Sequence, residues 1–461
     1  MNNTVTKKQI GDLDPLLLKE LLERYSKESN IIKWDVGASS SKDLSVQVQQ
    51  GEAKQLKGSQ RNSMTLRVWN NNKVGITSTS DLTYKGIQRA MKGAIEASVF
   101  GNDKESPEFS SLAKSPIEPI TFKAKSENSI DKLLTILKKA ERELIDSHKS
   151  IDSVPYNGLS ESYVERLYIN SDGANRYMKL SHASIYLYAK AEEDNKKPRS
   201  AGCIRIDSEL EQLDIDSCIT ETSEKLISHL NYRSIETKKY LICFTPDAFI
   251  QLISAFSSMF NARSILDGLS LMNEKSLGKQ ISIKNLNISD EGLHPANIGA
   301  FSFDGEGTPT QNINIIQSGV LTNLIHSEAT ARKFGVKPTG HAGLGAKVSV
   351  SPDWLVVSKS VNGIDKDVSL SIKNTQKEYI LIDELSAIHS GVKASQGSFS
   401  LPFDGWIVNN GSKTSIDAAT VAGDILKVLN SIVKIENEQI VTHQGISPYI
   451  WVENMAITGE A

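Results

Sequence analysis

The stretch 303–343 constrains the fold of this chain most, because it joins a turn, a hairpin and a helix in one continuous run. An acidic, glycine-broken turn, Asp304-Gly305-Glu306-Gly307, leads into an alternating run at 313–317. A second such run, 320–325, follows the pair Ser318-Gly319. Alternation on both sides of a glycine-containing turn predicts a β-hairpin.

Helices and strands are intermixed along the rest of the chain without a regular βα repeat. This order favours the α+β class: mainly antiparallel sheets with helices, an N-terminal α+β domain and a β-rich C-terminal domain. Ser327 is placed to cap the helix after the hairpin, and Gly335 to close it. The predicted helices are 14–26, 84–98, 130–148, 216–229, one that begins at Pro246, 328–334 and 418–435.

Length and local composition predict the domain organisation. A chain of 461 residues is expected to form two or three domains. The stretch 102–120 is rich in serine, proline and charge, which is typical of a linker, and 234–239 is a second, weaker boundary. The predicted domains are 1–112, 123–235 and 236–461.

Bulk composition excludes several classes of protein. Hydrophobic residues make up 39% and charged residues 23%, and the net charge is −3, so neither a nucleic-acid nor a membrane partner is expected. The first residues lack the uninterrupted apolar run of a signal peptide, and no window is apolar enough to span a membrane. Cys203, Cys218 and Cys243 are widely spaced and predict reduced thiols. We therefore expect a cytoplasmic protein.

Four residues of the organising stretch invite a metal or acid–base interpretation: Asp304, Glu306, His326 and His341. Their spacing differs from a compact ligand pair, such as two histidines four residues apart on a helix. The residues alone therefore favour a turn shaped by carboxylates and two ordinary histidines.

Several short motifs together resemble the TldD/PmbA family, the TldD–TldE proteases, over most of the chain. The motifs are Phe303–Thr310, Ser318–Leu321, Ala331–Gly335, Thr339–Ala342, Ser398–Ser400, Gly405–Gly411, Thr420–Gly423 and Ser447-Pro448, with 69–94 near the N-terminus. Each motif is weak alone, and the set is specific.

The resemblance also indicates which arm of the family the chain is similar to. The TldD arm carries a His-Glu-x-x-x-His helix and a later cysteine, which hold zinc and supply a catalytic glutamate. The corresponding helix here, 249–260, contains neither histidine nor glutamate, and no cysteine follows Cys243. The chain therefore resembles the TldE (PmbA) arm, which lacks the metal site and pairs with TldD.

The resemblance implies a non-catalytic subunit of a heteromeric zinc metalloprotease. The family is linked to degrading unfolded peptides, to maturing microcin-type antibiotics and, historically, to modulating DNA gyrase. The implied partners are a TldD-like HExxxH subunit, which would hold the zinc, and an unfolded peptide; no cofactor, catalytic residue or metal ligand is assigned to this chain. Exposed strand edges are expected to hold the peptide. The candidate peptide-binding residues are Asp304, Gly305, Glu306, Gly307, Gly391 and Gly397.

Two alternatives remain open from the sequence. One is an active hydrolase with an atypical metal site, drawn from His326, His341 and His389 with Asp383 or Glu384. The other is a non-proteolytic interaction protein that forms a homodimer. Metal analysis of the chain purified alone distinguishes the first alternative, and the lack of an HExxxH-bearing partner in the same cell favours the second.

Overall fold

A computed structural model describes residues 13–101, 107–118, 120, 128–345, 347–361 and 363–459. Part of the stretch used for the signal-peptide prediction (1–12) and part of the predicted linker (102–106 and 119) lie outside these described residues. No helix in the described ranges is both long and apolar enough to cross a lipid bilayer.

The helices follow in chain order, with short 3-10 helices between them. The α-helices are α1 (Pro15–Glu28), α2 (Tyr84–Ser98), α3 (Ile130–Asp146), α4 (Ile215–Ser228), α5 (Pro246–Ala255), α6 (Ala262–Leu266), α7 (Glu328–Phe334), α8 (Ile388–Gly391) and α9 (Ile425–Asn430). The 3-10 helices are Leu210–Gln212, Ser257–Phe260, Glu274–Ser276 and Ala394–Gln396.

The strands fall into an N-terminal and a C-terminal group. The N-terminal strands are β1 (Lys33–Gln49), β2 (Glu52–Asn70), β3 (Lys73–Thr79), β4 (Ile151–Asn170), β5 (Asn175–Ala191) and β6 (Arg199–Asp207). The C-terminal strands are β7 (Tyr232–Arg233), β8 (Lys238–Phe244), β9 (Leu286–Glu291), β10 (Asn312–Gln317), β11 (Val320–Leu321), β12 (Ala342–Gly343), β13 (Ser349–Val350), β14 (Leu355–Lys359), β15 (Tyr379–Leu385), β16 (Val392–Lys393), β17 (Ser398–Asn409), β18 (Ser412–Ile416), β19 (Ala419–Asp424), β20 (Ile432–Ile435), β21 (Ile440–Val441), β22 (Gly445–Ser447) and β23 (Ile450–Gly459).

Strands β1–β6 form one antiparallel sheet, the N-terminal sheet, in the order β3-β2-β1-β4-β5-β6. The sheet runs across the predicted linker, because β1 pairs with β4 from Asp35↔Asn170 to Val46↔Leu159. Strands of the first two predicted domains therefore share one sheet.

The two faces of the N-terminal sheet have different neighbours, because side chains alternate along each strand. Val36 and Ala38 of β1 pack with helices α1 and α2, and Val46 and Val48 pack with α3 and α4. The opposite face, which includes Asp35, Arg67 and Tyr168, meets the C-terminal half of the chain (236–459).

The C-terminal half contains two larger sheets with helix α5 packed between them. One has the order β15-β8-β23-β19-β17-β18-β7, and the other β11-β10-β9-β14-β22-β21. Helix α5 contacts β8 and β15 of the first sheet and β14 and β22 of the second. Its Phe249, Leu252 and Ile253 are buried in the shared core, as the apolar spacing of the helix predicts. The arrangement confirms the α+β class.

Local sequence signals have mixed outcomes. The hairpin across Ser318-Gly319 is confirmed by the pairing of β10 with β11, and Ser327 caps α7 as expected. The predicted helix 418–435 is wrong: β19, α9 and β20 occupy this stretch. The helix starts late because the Asp424 carboxylate accepts the Lys427 amide, which sets the first turn there.

Candidate functional site

A cavity of about 1270 Å³ lies between the N-terminal sheet and the C-terminal half. Its size exceeds the usual range for a small-molecule site, roughly 300–1,000 Å³. Residues of β5, β6, α4 and α5 line it, together with loops that surround β9, β12 and β22. The cavity therefore offers room for an extended chain rather than for a compact ligand alone.

One wall of the cavity is formed by the outermost strands of the N-terminal sheet. Tyr186 and Tyr188 of β5 and Ile204 and Ile206 of β6 line it, and the two isoleucines are 43% and 39% exposed. Within the described residues, β6 pairs only with β5. One edge of β6 is therefore an open strand edge, the kind of surface that accepts an added strand.

The opposite wall includes one face of helix α5. Thr245 caps this helix through the Ala248 amide. Asp247, Gln251 and Ser254 line the cavity, because residues four and three apart share a helix face. Gln251 Oε1 also accepts the Leu385 amide at 3.1 Å. This face offers a carboxylate, an amide and a hydroxyl, with no imidazole or thiolate, and so does not fit a zinc site of the His-Glu-x-x-x-His kind.

A partly buried ion pair lies beside this face. Lys225 Nζ is 2.6 Å from Asp383 Oδ2 and 3.6 Å from Glu384 Oε2. Burial by itself lowers the pKa of Lys225, but the charges of Asp383 and Glu384 and the hydrogen bond to Asp383 together outweigh it and raise the pKa above the usual range. Burial also raises the pKa of Glu384. The lysine therefore stays a cation and offsets the charge of one of the two carboxylates.

A second cluster joins Asp290, His341 and Asp353, whose ligand atoms all lie within 4.8 Å of one another. Asp290 is the penultimate residue of strand β9 and is fully buried. Its carboxylate accepts the Asp353 amide at 2.9 Å and the Trp354 amide at 3.0 Å. His341 is 3% exposed, whereas Asp353 is exposed toward the cavity.

Hydrogen bonds determine which nitrogen of His341 carries a proton. Thr339 Oγ1 donates to the His326 carbonyl (3.2 Å) and accepts the His326 amide (2.7 Å). When its one proton is used in this way, it accepts from His341 Nδ1–H at 2.8 Å. In the neutral ring, Nε2 then carries a lone pair, and this buried atom has no hydrogen-bond partner.

The electrostatics of this cluster reflect an excess of carboxylates. Burial alone lowers the pKa of His341, but Asp290, followed by Asp353 and Asp304, raises it above its ordinary value. Burial raises the pKa of Asp353 to about 6, and Asp290 adds to this, against the opposing effects of His341 and Arg166. The carboxyl groups therefore make the electrostatic environment of this cluster favourable for a bound cation.

The acidic turn at 304–307, predicted from the sequence as a candidate site, forms a buried support next to this cluster. Asp304 Oδ1 accepts the Glu306 and Thr308 amides at 2.8 and 2.9 Å, and Oδ2 accepts the Ala342 amide at 2.9 Å. Burial, then Glu306, raises the pKa of Asp304 to about 7. Gly305 is required because an added Cβ would lie 2.2 Å from the Leu344 amide nitrogen.

The Glu306 side chain points into the contact between the two halves of the chain. It is 1% exposed, accepts the Glu328 amide at 2.9 Å and lies 3.5 Å from Arg67 Nη1. Gly307 contacts the Tyr168 ring, since an added Cβ would lie 2.3 Å from Tyr168 Cδ1. Of the four predicted residues in this turn, Asp304 lines the cavity.

The remaining candidates lie in different environments. Gly391 ends α8 against the Ser400 carbonyl, and Gly397 has φ of +75° beside Leu271. His326 is buried beside the Phe334 ring, and burial lowers its pKa to about 4. His389 is exposed on α8. The structure thus brings His341, Asp383 and Glu384 to the cavity, whereas His326 and His389 are absent from its lining.

Sequence reasoning missed Asp290, Asp353 and Lys225. Asp290 follows the alternating run at 281–289, and Asp353 follows Pro352 in a loop. A polar residue at the end of a strand is a weak local signal by itself. The partners come from separate segments, so their proximity follows from the packing of β9 against β14.

Models of one family match three consecutive segments of the chain. They are the PmbA/TldA metallopeptidase domain 1 at 34–98, the central domain at 123–230 and the C-terminal domain at 237–459. The fold and these matches define a chain of the metallopeptidase-like class. More particularly, the chain belongs to the PmbA/TldD family.

Individual relatives and solved structures agree with this assignment. The Metalloprotease PmbA of Escherichia coli O157:H7 is 23% identical, over 88% of this chain and 87% of the relative. A structure from Thermotoga maritima, named as a candidate modulator of a DNA gyrase, has a TM-score of 0.84 at 22% identity, covering 95% of this chain and all of that one. TldE from Thermococcus kodakarensis has a TM-score of 0.81 at 18% identity, covering 96% and 100%.

Proposed function

We propose that this chain is the non-catalytic, TldE-like subunit of a heteromeric zinc metallopeptidase that degrades or processes unfolded peptides. The observation that carries the proposal is the cavity-facing side of α5, where Asp247, Gln251 and Ser254 occupy the face that would otherwise present metal ligands. The catalytic zinc and the general base would then belong to a TldD-like HExxxH partner.

The contribution of this chain would be to bind the peptide rather than to cleave it. The open edge of β6 and the apolar side chains Ile204 and Ile206 lie at a cavity wall. Main-chain hydrogen bonds to such an edge are independent of the side chains of the peptide. Selection would therefore depend on whether the substrate is unfolded.

The peptide-binding residues predicted from the sequence have different places in this proposal. Asp304 lines the cavity, and Gly305, Glu306 and Gly307 form the support behind it. Gly391 and Gly397 would contribute to a separate surface near α8.

Free, buried cysteines support a reducing location for the assembly. Cys203, Cys218 and Cys243 are all unpaired thiols, which is usual in the cytoplasm. Any effect of this chain on DNA gyrase would be indirect, through proteolysis, because its net charge of −3 gives it no basic surface in bulk.

The test is to purify this chain alone, the HExxxH-bearing family member of the same organism alone, and the two together. We expect the mixture to form a complex and to cleave an unfolded fluorescent polypeptide, while this chain alone cleaves nothing. A partner whose HExxxH glutamate is replaced by glutamine is the matched control, which should form the complex and lose cleavage.

Other outcomes would replace the proposal. Cleavage by this chain alone would indicate an active hydrolase with an atypical site. A stable homodimer that neither associates with the HExxxH protein nor changes its activity would indicate an interaction protein. Cleavage and complex formation distinguish the subunit proposal from these two alternatives, whether or not this chain itself binds a metal ion.

A further inference from the structure

We propose that Asp290, His341 and Asp353 form a divalent metal site at the cavity wall, for which Zn²⁺ is the best match. The site is separate from the α5 face, and the proposed subunit role does not require it. Imidazole nitrogen and carboxylate oxygen are ligands that zinc and its first-row neighbours accept.

The unpartnered nitrogen of His341 is the first argument. Its ring is 3% exposed, Nδ1 lies 2.8 Å from Thr339 Oγ1, and Nε2 makes no hydrogen bond although it faces the Asp290 carboxylate at 3.5 Å. Burying such an atom without a hydrogen-bond partner destabilises the folded protein. A metal ion bound at Nε2 would use this lone pair, in the tautomer that a hydrogen bond from the other ring nitrogen usually selects in metal sites.

The spacing of the ligand atoms is the second argument. His341 Nε2 lies 3.5 Å from Asp290 Oδ2, which is long for a hydrogen bond between nitrogen and oxygen. Two ligands that each lie about 2.1 Å from a tetrahedral zinc ion are about 3.4 Å apart. The observed separation therefore matches two ligand atoms at a tetrahedral angle around a shared ion.

The local charge is the third argument. Asp290, Asp304 and Asp353 surround the site, and Arg166 is the cation that acts on Asp304 and Asp353. The site therefore has more carboxyl groups than cationic side chains around it, and a divalent ion would offset this imbalance.

The surrounding framework leaves room for an ion and for a further ligand. Two backbone amides hold the Asp290 carboxylate. A side chain at position 292 would crowd the site, because a Cβ added to Gly292 would lie 3.0 Å from Asp353 Oδ2. Since Asp353 is exposed toward the cavity, the remaining coordination position would be open to water or to a carbonyl oxygen of a bound peptide.

The test measures metal binding by the full chain without any partner. After treatment with a chelator, the chain is titrated with Zn²⁺ by calorimetry and against a chromophoric chelator, with Mg²⁺ as the comparison ion. We expect one Zn²⁺ per chain and much weaker binding of Mg²⁺. Substitution of Co²⁺ should give visible absorption bands that report a nitrogen- and oxygen-ligated ion.

Two variants remove ligands, and a third is the matched control. His341→Asn retains a donor for Thr339 and deletes Nε2, and Asp353→Asn changes a carboxylate exposed toward the cavity. Each should weaken Zn²⁺ binding roughly 100-fold or more, beyond the effect of losing a supporting contact. His443→Asn replaces another cavity histidine and should leave the affinity unchanged.

The measurements also define how the proposal fails. If the unmodified chain binds no Zn²⁺, or if His341→Asn and Asp353→Asn bind it as tightly as His443→Asn, the site does not exist. Circular dichroism and thermal unfolding without metal show whether each variant is folded. If His341→Asn does not fold, the Zn²⁺ affinity of Asp353→Asn tests the proposal. Zn²⁺ binding by this chain alone and peptide cleavage by its complex with the HExxxH partner are separate measurements. The metal-site proposal and the subunit proposal can therefore fail independently.

Discussion

At the scale of single residues, burial determines the protonation of several histidines. The His229 ring stacks on Trp406 with centroids 4.8 Å apart, and its Nδ1 lies 2.7 Å from Ser415 Oγ. Burial, and then Arg199 and Lys225, lowers the pKa of His229 to about 4. The folded protein therefore keeps this ring neutral at a pH at which an unfolded chain would protonate it.

This shift predicts a loss of stability in mild acid. Because the folded pKa is lower than the unfolded value of 6.5, the unfolded chain binds the proton first, and stability falls as pH drops from about 6.5 to 4. The contribution of His229 is about 3 kcal/mol at most. His229→Asn should reduce this pH dependence, which urea unfolding at pH 7.5 and pH 5 would measure.

His229→Asn is informative because the loss of the ring stack and the loss of the pH dependence can be measured separately. Loss of the ring stack should lower the stability of His229→Asn at pH 7.5, and the difference from the unmodified chain should narrow at pH 5. His389→Asn, at an exposed position, is the control. An equal difference at both pH values would show that His229 is not responsible.

At the scale of elements, strand β6 has an open edge and lies at the wall of the cavity, opposite the C-terminal half of the chain. Open strand edges promote aggregation unless they are covered or placed out of reach. The cavity wall meets this requirement, because the C-terminal half lies opposite β6. We expect the edge to admit a single extended chain more readily than another folded molecule.

The apolar side chains of β6 provide a test of this element. Ile204→Glu should weaken binding of an unfolded fluorescent peptide about 10-fold, since one apolar side chain contributes about 1.5 kcal/mol on burial. Fluorescence anisotropy with the complex measures the affinity. Ile32→Glu changes an isoleucine that is 92% exposed and far along the chain, and it should have no effect. Equal effects of the two substitutions would exclude β6 as the peptide surface.

At the scale of the whole molecule, a buried charge network joins the N-terminal sheet to the C-terminal half. Arg67 pairs with Asp35 and lies 3.5 Å from Glu306, and Tyr168 donates to Asp35 at 3.0 Å. Glu306 in turn accepts the first amide of α7, from Glu328. Removing the guanidinium would leave two carboxylates buried without their cation.

Arg67→Met should therefore destabilise the protein by about 3–5 kcal/mol. Arg61→Met is the matched control on the same strand, because Arg61 is 74% exposed and pairs with Asp43 at the surface. Its cost should be about 0–1 kcal/mol. Denaturant unfolding measures both, and similar values for the two variants would contradict a coupling role for the network.

The sequence by itself determined the local structure and the family. The hairpin at Ser318-Gly319, the cap at Ser327 and the buried face of α5 depend on residues within a few positions of one another. Such features follow from backbone geometry and short-range hydrogen bonds. The lack of histidine and glutamate at 249–260 was also readable directly. The helix predicted at 418–435 failed where an Asp424 cap and sheet pairing outweighed propensity.

Only the tertiary structure decided which distant groups meet. It joined Asp290, His341 and Asp353, turned Glu306 toward Arg67, and placed β6 at the cavity. Long-range packing of the two halves produces these contacts. No local sequence pattern predicts which of these distant residues come together. The physical reason is that a side chain's hydrogen bonds and pKa depend on burial and on neighbours brought together by the fold.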